Sequence, residues 1–503
     1  MAAIARLFNS SPRSLPVLVE TDDVYPVHML DDTKTLRGIV VTWTLRFDDV
    51  LDPDKLSASL SRLLEIGDWR KVGGRLRLKD DGRLEIRVPQ QFTTDRPAVS
   101  YSHESLGVDI DDHPLAATLP KATNNSSIHP GAQNFRKFAA KENAPETLED
   151  FLKDDTPQLS LHITSFNDAT LIGLSWPHTL MDVMGQQALL RGWSLVLGGR
   201  ESEVPPMIGA REDAICAALD TSANDKERFE MSLKQLTGWA MLMFGLRFAW
   251  DMMWNRVVET RTIFLPCKTV SKMRQQAMND LAAQDGGEEK PFISEGDVLT
   301  AWGIRVVASS LPHPRPVTAL HALNARFRLS SLVQASGVYV QNMAVAAFAF
   351  ISPEVARGPL GLIALENRRH LMEQATEGQV LAGLRELRQQ SKSGNEQQLL
   401  CGDSDALLMP FTNWTRASFF KMVDFSPALV CVGKAEPSRS NAPGTLVYHH
   451  ASSMRTSPTM RNVIVVLGKD HDDNYWLTAA LLPQTWTKVE EELENMSNHN
   501  STK

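Results

Sequence analysis

Residues 159–199 constrain the fold more than any other stretch. Leu159 to Phe166 (LSLHITSF) alternates apolar and polar side chains, and Ala169 to Trp176 (ATLIGLSW) follows across Asn167-Asp168. Two such runs joined by an Asn-Asp turn predict a β-hairpin. Pro177-His178 then interrupts, and the pattern changes period. From about Val183, the positions Leu189, Trp193, Val196 and Leu197 form one helical stripe that stops at Gly198-Gly199. A strand pair feeding directly into a helix predicts a mixed α/β unit. It also places His178 on a strand exit, where a side chain can face a cleft.

The rest of the chain is built in the same way. Gly38 to Phe47 reads as a strand, and Asp52-Pro53 opens a helix with Leu56, Leu60, Leu63 and Leu64 on one face. Arg75 to Leu78 is a short strand, and Leu119 to Asn134 reads as a polar surface loop. In the second half, strands are expected near Val317–Leu323, Val338–Phe350, Phe420–Phe425, Val463–Leu467 and Tyr475–Leu482. Helices are expected from Ser294 and from Thr485, and polar loops at Asp285–Lys290 and Gln389–Asp405. The division expected is an N-terminal unit over 1–215, a crossover segment over 216–260 and a C-terminal unit over 261–503. With 503 residues and no short repeat, two large α/β (α+β) units fit better than a solenoid.

Composition removes several function classes. A net charge of −8 argues against non-specific nucleic-acid binding. Four scattered cysteines, Cys216, Cys267, Cys401 and Cys431, make no C-x-x-C pair, so neither a disulfide framework nor a zinc ribbon is expected. Arg6, Asn9 and Arg13 break the N-terminus before a signal-peptide core can form, so a cytoplasmic protein is expected. Leu236 to Trp254 (LTGWAMLMFGLRFAWDMMW) is nearly long enough to span a bilayer, but it holds Arg247 and Asp251 four apart on one helix face. A buried or crossover helix with one polar edge is expected there, without stable membrane insertion.

No common catalytic signature is present. Gly173-Leu-Ser-Trp-Pro177 ends in proline where a nucleophile elbow needs glycine, and Val432-Gly-Lys-Ala435 is no P-loop. No dinucleotide fingerprint and no His-Glu-x-x-His occur, so no metal is expected. What remains is His178-Thr-Leu-Met-Asp182. Among 13 histidines about one H-x-x-x-D arises by chance, and His28-Met-Leu-Asp-Asp32 is a second. Position separates them, because only His178 lies between a hairpin and a helix. Taken alone, His178 reads as structural, Asp182 as a helix N-terminal acid, Arg326 as part of a solvated strand face and Trp414 as core. Asp424 alone reads as a strand-end ion pair or turn residue. As chemistry, a neutral imidazole at this place suits a general base that takes a proton from an attacking hydroxyl or amine.

These residues resemble a known family. SWPHTLMDVMGQQALLRGWSLVLGG is similar to the catalytic segment of the BAHD acyltransferases, particularly their fungal branch in secondary metabolism. The likeness runs from about residue 20 to 485 in order. VYPVHMLDD (24–32) resembles the family's "P-L-S-x-x-D", which puts His28 on its serine position and removes it as a base. Gly74-Arg-Leu76 resembles "G-R-L", and Trp193, Pro205 and Pro206 fall on a family tryptophan and prolines. SEGDVLTAW (294–302) resembles a helix entry. Asn324-Ala-Arg326-Phe-Arg328-Leu329 resembles "D/N-x-R-x-R-L", and Tyr339-Val-Gln-Asn342 resembles "Y-x-G-N". Thr412-Asn-Trp414 resembles "T-S-W", and Asp424-Phe-Ser426 resembles the start of "D-F-G-W-G".

The resemblance implies two chloramphenicol-acetyltransferase-like domains with mixed sheets and a channel between them. It implies a monomer that binds an acyl-CoA co-substrate and a small-molecule acceptor, with no permanently bound cofactor and no nucleic acid. His178 would be the base, Asp182 would turn away to pair with Arg326 as a brace, and Thr412 and Trp414 would lie near the tetrahedral intermediate. Asp424 would be structural. The implied reaction moves an acyl group, with acetyl expected, onto a hydroxyl of a hydrophobic natural product. Three departures stand out: Pro177 before the histidine, Val183 in place of a glycine, and Ser426-Pro427 in place of Gly-Trp-Gly. The last of these motivates one alternative, a same-fold condensation or cyclisation without CoA; a catalytically silent binding protein is a further alternative, against which the intact His178/Asp182 pair argues.

Overall fold

A computed structural model describes residues 18–222, 227–283, 291–392, 399–434, 439–457 and 459–501. Twelve strands of its two main sheets position the site: β1 (Val40–Phe47), β2 (Ser100–Ser105), β3 (Ser127–Pro130), β4 (Ser160–Ser165), β5 (Thr170–Pro177), β6 (Glu259–Leu265), β7 (Val317–Asn324), β8 (Ala344–Ile351), β9 (Leu407–Asn413), β10 (Tyr448–Ser453), β11 (Val463–Lys469) and β12 (Tyr475–Leu481). Seven helices matter alongside them: α1 (Pro53–Leu63), α2 (Val183–Leu197), α3 (Gly238–Trp254), α4 (Cys267–Ala282), α5 (Glu295–Ser309), α6 (Leu360–Gln374) and α7 (Pro483–Ser501).

The predicted hairpin forms as β4–β5, antiparallel from Ser160↔Ser175 to Ser165↔Thr170. It sits inside a five-stranded sheet of order β10-β1-β5-β4-β2. Every residue of β5 is buried, as expected for a central strand covered on both faces. Helices α1 and α2 pack on one another against this sheet. Asp52 caps α1 by accepting from the amides of Asp54 and Lys55. The indole of Trp193 on α2 donates to Ser59 Oγ at 2.9 Å and to the Leu56 carbonyl at 3.1 Å, which fixes the crossing of the two helices.

The second sheet has seven strands in the order β8-β7-β9-β11-β12-β6-β3. Strands β7, β9 and β11 are parallel, and the others are antiparallel to their neighbours. Helices α4, α5, α6 and α7 cover it over a core that includes Trp302, Trp486, Ile464 and Leu477. Ser294 opens α5 with a capping box closed by Asp297.

The sheets do not divide along the chain as the sequence segments do. Strand β3, from the first half, pairs with β6 at the edge of the second sheet. Strand β10, from the second half, pairs with β1 over six residues at the edge of the first. The stretch 119–134, expected to be only loop, therefore contains a strand. Its strand residues are all half-buried, as on a half-covered edge, with Ile128 packed on the core of the second sheet. Residues 420–425, expected to be extended, instead form a helical turn at Phe419–Met422. The run 338–350 is broken into a short strand at Val338–Tyr339 and β8, with a turn between them at Gln341–Met343. The polar loop expected at 285–290 lies outside the described residues, as do residues 393–398 of the one expected at Gln389–Asp405; the start of that stretch is helical instead, as the end of a helix over Glu377–Lys392. Helix α3 forms where the apolar run predicted a helix, but the burial expected of it is overturned: none of its residues is buried.

Candidate active site

His178 follows the last residue of β5, two positions beyond the buried Trp176. Its amide donates to the Ile39 carbonyl at 2.9 Å, which continues the ladder between β1 and β5 by one bond. Its own carbonyl accepts from Asn342 Nδ2 at 2.8 Å. Residues 177–180 then turn tightly, with Leu180 N on the Pro177 carbonyl and the Trp176 indole on the Met181 carbonyl. The residue as a whole is half-buried, and its ring Nδ1 is shielded from solvent. Burial holds its pKa below the ordinary histidine value, against a weaker opposing pull from the Asp182 charge. The ring is therefore neutral, and able to accept a proton, at physiological pH.

Asp182 is the N-cap of α2. Oδ1 accepts from the amides of Met184 (3.0 Å) and Gly185 (3.1 Å) and from Arg326 Nη2 (2.9 Å). Oδ2 accepts from Arg326 Nη1 (2.8 Å) and the Met343 amide (3.0 Å). The ion pair is bidentate, with both side chains about nine-tenths buried. Arg326 is held in turn by the Tyr339 carbonyl at 2.9 Å and by the Gln341 carbonyl. A side chain from the first half is thus locked to one from the second, beside His178. Such close docking needs Gly185: a Cβ there would stand 2.0 Å from the Val340 carbonyl.

A second clamp was not assigned a role from sequence. Asn342 donates its amide N–H and its Nδ2–H to Asp31 Oδ1, both at 2.7 Å, while Nδ2 also reaches the His178 carbonyl. Asp31 is 1% exposed, and burial pushes its carboxyl up to about 7. Buried Lys71, pushed down to about 8 by the same desolvation, supplies the compensating charge. Both Asp31 and Asn342 stand in stretches that carry the family resemblance, and that was the available signal. His28, the decoy in that stretch, is buried with Nε2 2.5 Å from the Gly209 carbonyl.

Trp414 directly follows the last residue of β9. Its amide donates to the Val466 carbonyl at 2.8 Å, and its ring stacks on Trp43 at 4.9 Å. Trp43 in turn stacks on Trp176 at 6.3 Å. A row of three indoles therefore links β9, β1 and β5. Thr412 is half-buried on β9, in register with Val465. Asp424 is exposed and accepts from the Ser426 amide at 2.9 Å, so its bracing is of its own turn. Its neighbour Phe425 is fully buried against Trp193 and Phe47. The geometry brings His178, Asp182 and Arg326 together and leaves Asp424 apart. Among the described residues, no group of three or more His, Cys, Asp or Glu is placed to hold a metal ion.

No protein-family model matches the chain. It is 38% identical over 490 residues to O-acetyltransferase PaAT-2 of Phomopsis amygdali, covering 95% of this chain and 99% of that one. It is 36% identical over 486 residues to acetyltransferase pyiB of Pyricularia grisea, covering 96% and 95%. The chain belongs to the BAHD acyltransferases, among fungal acetyltransferases of secondary metabolism. Its fold matches TRI101 of F. sporotrichioides, solved with coenzyme A and T-2, at TM-score 0.66 and 15% identity over 94% of this chain and 98% of that one. The fold is thus the mixed α/β architecture of this family, and the chain is an acyltransferase.

Proposed function

We propose that this acyltransferase moves an acetyl group from acetyl-CoA to a hydroxyl of a small hydrophobic natural product, with His178 as general base. The observation that carries the reading is His178, held through its backbone by Ile39 of one half and Asn342 of the other, its pKa lowered by burial, beside the Asp182–Arg326 pair. In the proposed step, the acceptor hydroxyl oxygen bonds to the thioester carbonyl carbon as the imidazole takes its proton. The tetrahedral intermediate then collapses, the C–S bond breaks, and the imidazolium returns the proton to the departing CoA thiolate. Asp182 takes no part in proton transfer in this reading, because both of its oxygens are committed to Arg326 and to backbone amides. It positions the 178–182 turn instead. We place Thr412 and Trp414 beside the intermediate, with the Thr412 hydroxyl as a donor to its oxygen. A passage between the two halves at His178 would admit both substrates, and holding them together supplies effective molarity. We further propose a monomer acting in the cytoplasm.

The test is His178→Ala, assayed for CoA release from acetyl-CoA with extracts of candidate acceptors. Loss of turnover by about 10²–10⁴-fold, with an unchanged unfolding midpoint, is expected. Unchanged turnover would remove the base. Product formation without CoA release would instead favour condensation or cyclisation by the same fold.

A further inference from the structure

Helix α3 is amphipathic in the reverse sense. Its polar side chains face the protein: Asp251 pairs with Arg315 at 3.0 Å, and Arg247 donates to Ser404 Oγ at 2.8 Å. With Phe244, Phe248 and Asn255 these residues line a cavity under the helix. The outward stripe is apolar at spacings of three and four: Trp239, Leu242, Leu246, Trp250 and Met253, joined by Trp254, all 50–76% exposed. A contiguous apolar surface of this kind marks a contact with something other than water.

Three features decide what the partner is. Indoles stand at both ends of the stripe, Trp239 at one and the stacked pair Trp250–Trp254 at the other, the arrangement suited to a water–lipid boundary. Exposed cations lie just outside them, Lys234 before the helix and Arg256 after it. Residues 231–258 carry three cations and one acid in a chain of net charge −8, and that acid is already paired with Arg315. The positive sign is local to the apolar stripe. The stripe carries no charged side chain, and its hydrogen-bonding groups are the indole N–H donors of its three tryptophans, which suit the headgroup boundary of a bilayer.

We propose that α3 is an interfacial docking element that lays its outer face in the plane of an anionic lipid bilayer. The polar inner face keeps the helix fastened to the body, so docking needs no rearrangement and no spanning segment. Among the described residues no helix is long and apolar enough to cross a membrane.

Co-sedimentation of the full chain with phosphatidylcholine vesicles, with and without phosphatidylserine, tests this. Binding is expected to the phosphatidylserine vesicles and to weaken with added salt. The variant W239S/W250S/W254S should lose it while keeping its thermal midpoint, because all three side chains are exposed. K234E and R256E should each weaken it about five-fold or more. No sedimentation with either vesicle, retention after the tryptophan substitutions, or equal binding to pure phosphatidylcholine would overturn the proposal. So would a concentration-dependent dimer that the tryptophan variant abolishes in the absence of vesicle binding.

Discussion

Asp182 accepts five hydrogen bonds, and the imidazole four residues away supplies none of them. The H-x-x-x-D spacing therefore places a base and its loop anchor, rather than a base and its charge partner. Asp182→Ala should leave the Arg326 guanidinium buried and unpaired, costing about 3–5 kcal/mol of stability. Urea unfolding would show this as a lowered midpoint together with lost activity. Asn342→Ala removes the side-chain bonds to the His178 carbonyl and to Asp31, and keeps the backbone amide bond to Asp31. It should lower kcat by about 10–100-fold through misplacement of the ring, with KM for acetyl-CoA little changed; a purely structural role would lower only the melting temperature. Because burial depresses the His178 pKa, the acid limb of the kcat/KM profile should fall below pH ~6.5. A limb at or above that value would show that the base is a different group or a more solvated one.

At the scale of elements, α2 is the piece whose placement matters most. Its apolar stripe and its stop at Gly198-Gly199 were legible from sequence, since periodicity and capping are local. What periodicity cannot show is how close its first turn comes to the 338–343 turn. Gly185 carries that information, and it looks like any helix glycine until the Val340 carbonyl is seen against it. Gly185→Ala should therefore be destabilising by about 1–3 kcal/mol as an overpacked contact. It should cost activity too, because the shift pushes Asp182 away from Arg326. A variant with full activity and an unchanged melting temperature would show that the helix can retreat without harm. Helix α3 teaches the converse. Its helical character was legible, but which face turned outward was not, because the inner polar contacts Arg315 and Ser404 lie 64 and 157 residues away from their partners.

Across the whole molecule, β3 and β10 each cross into the sheet of the other half. Each half therefore lacks an edge strand when alone. Separately expressed pieces 1–215 and 261–503 are expected to aggregate or stay unfolded, as circular dichroism and gel filtration would show. Four buried histidines add an acid sensitivity. Burial holds His28 and His321 at about 4 and His449 and His450 at about 3, while the unfolded chain ionises near 6.5. Below pH ~6.5 the unfolded state takes up protons that the folded state refuses, so stability falls with pH by on the order of 1 kcal/mol per unit per histidine. Asp31, raised to about 7, and Asp470, also raised by burial, work the other way, but they are two carboxyls against four histidines. Urea midpoints at pH 7.5 and 5 should differ clearly, with the acid value lower.

The sequence by itself determined the hairpin, the helix that follows it, the position of His178 between them and the order of family motifs. These are set by local periodicity, turn chemistry and residue identity, which neighbouring positions express. Only the tertiary structure decided that Asp182 meets Arg326, that Asn342 joins Asp31 to the His178 backbone, that two strands exchange sheets, and that α3 shows its tryptophans to the outside. Each of those depends on packing partners distant in the chain. Their contact energy is a property of the assembled surfaces and leaves no repeat or spacing in the residues themselves.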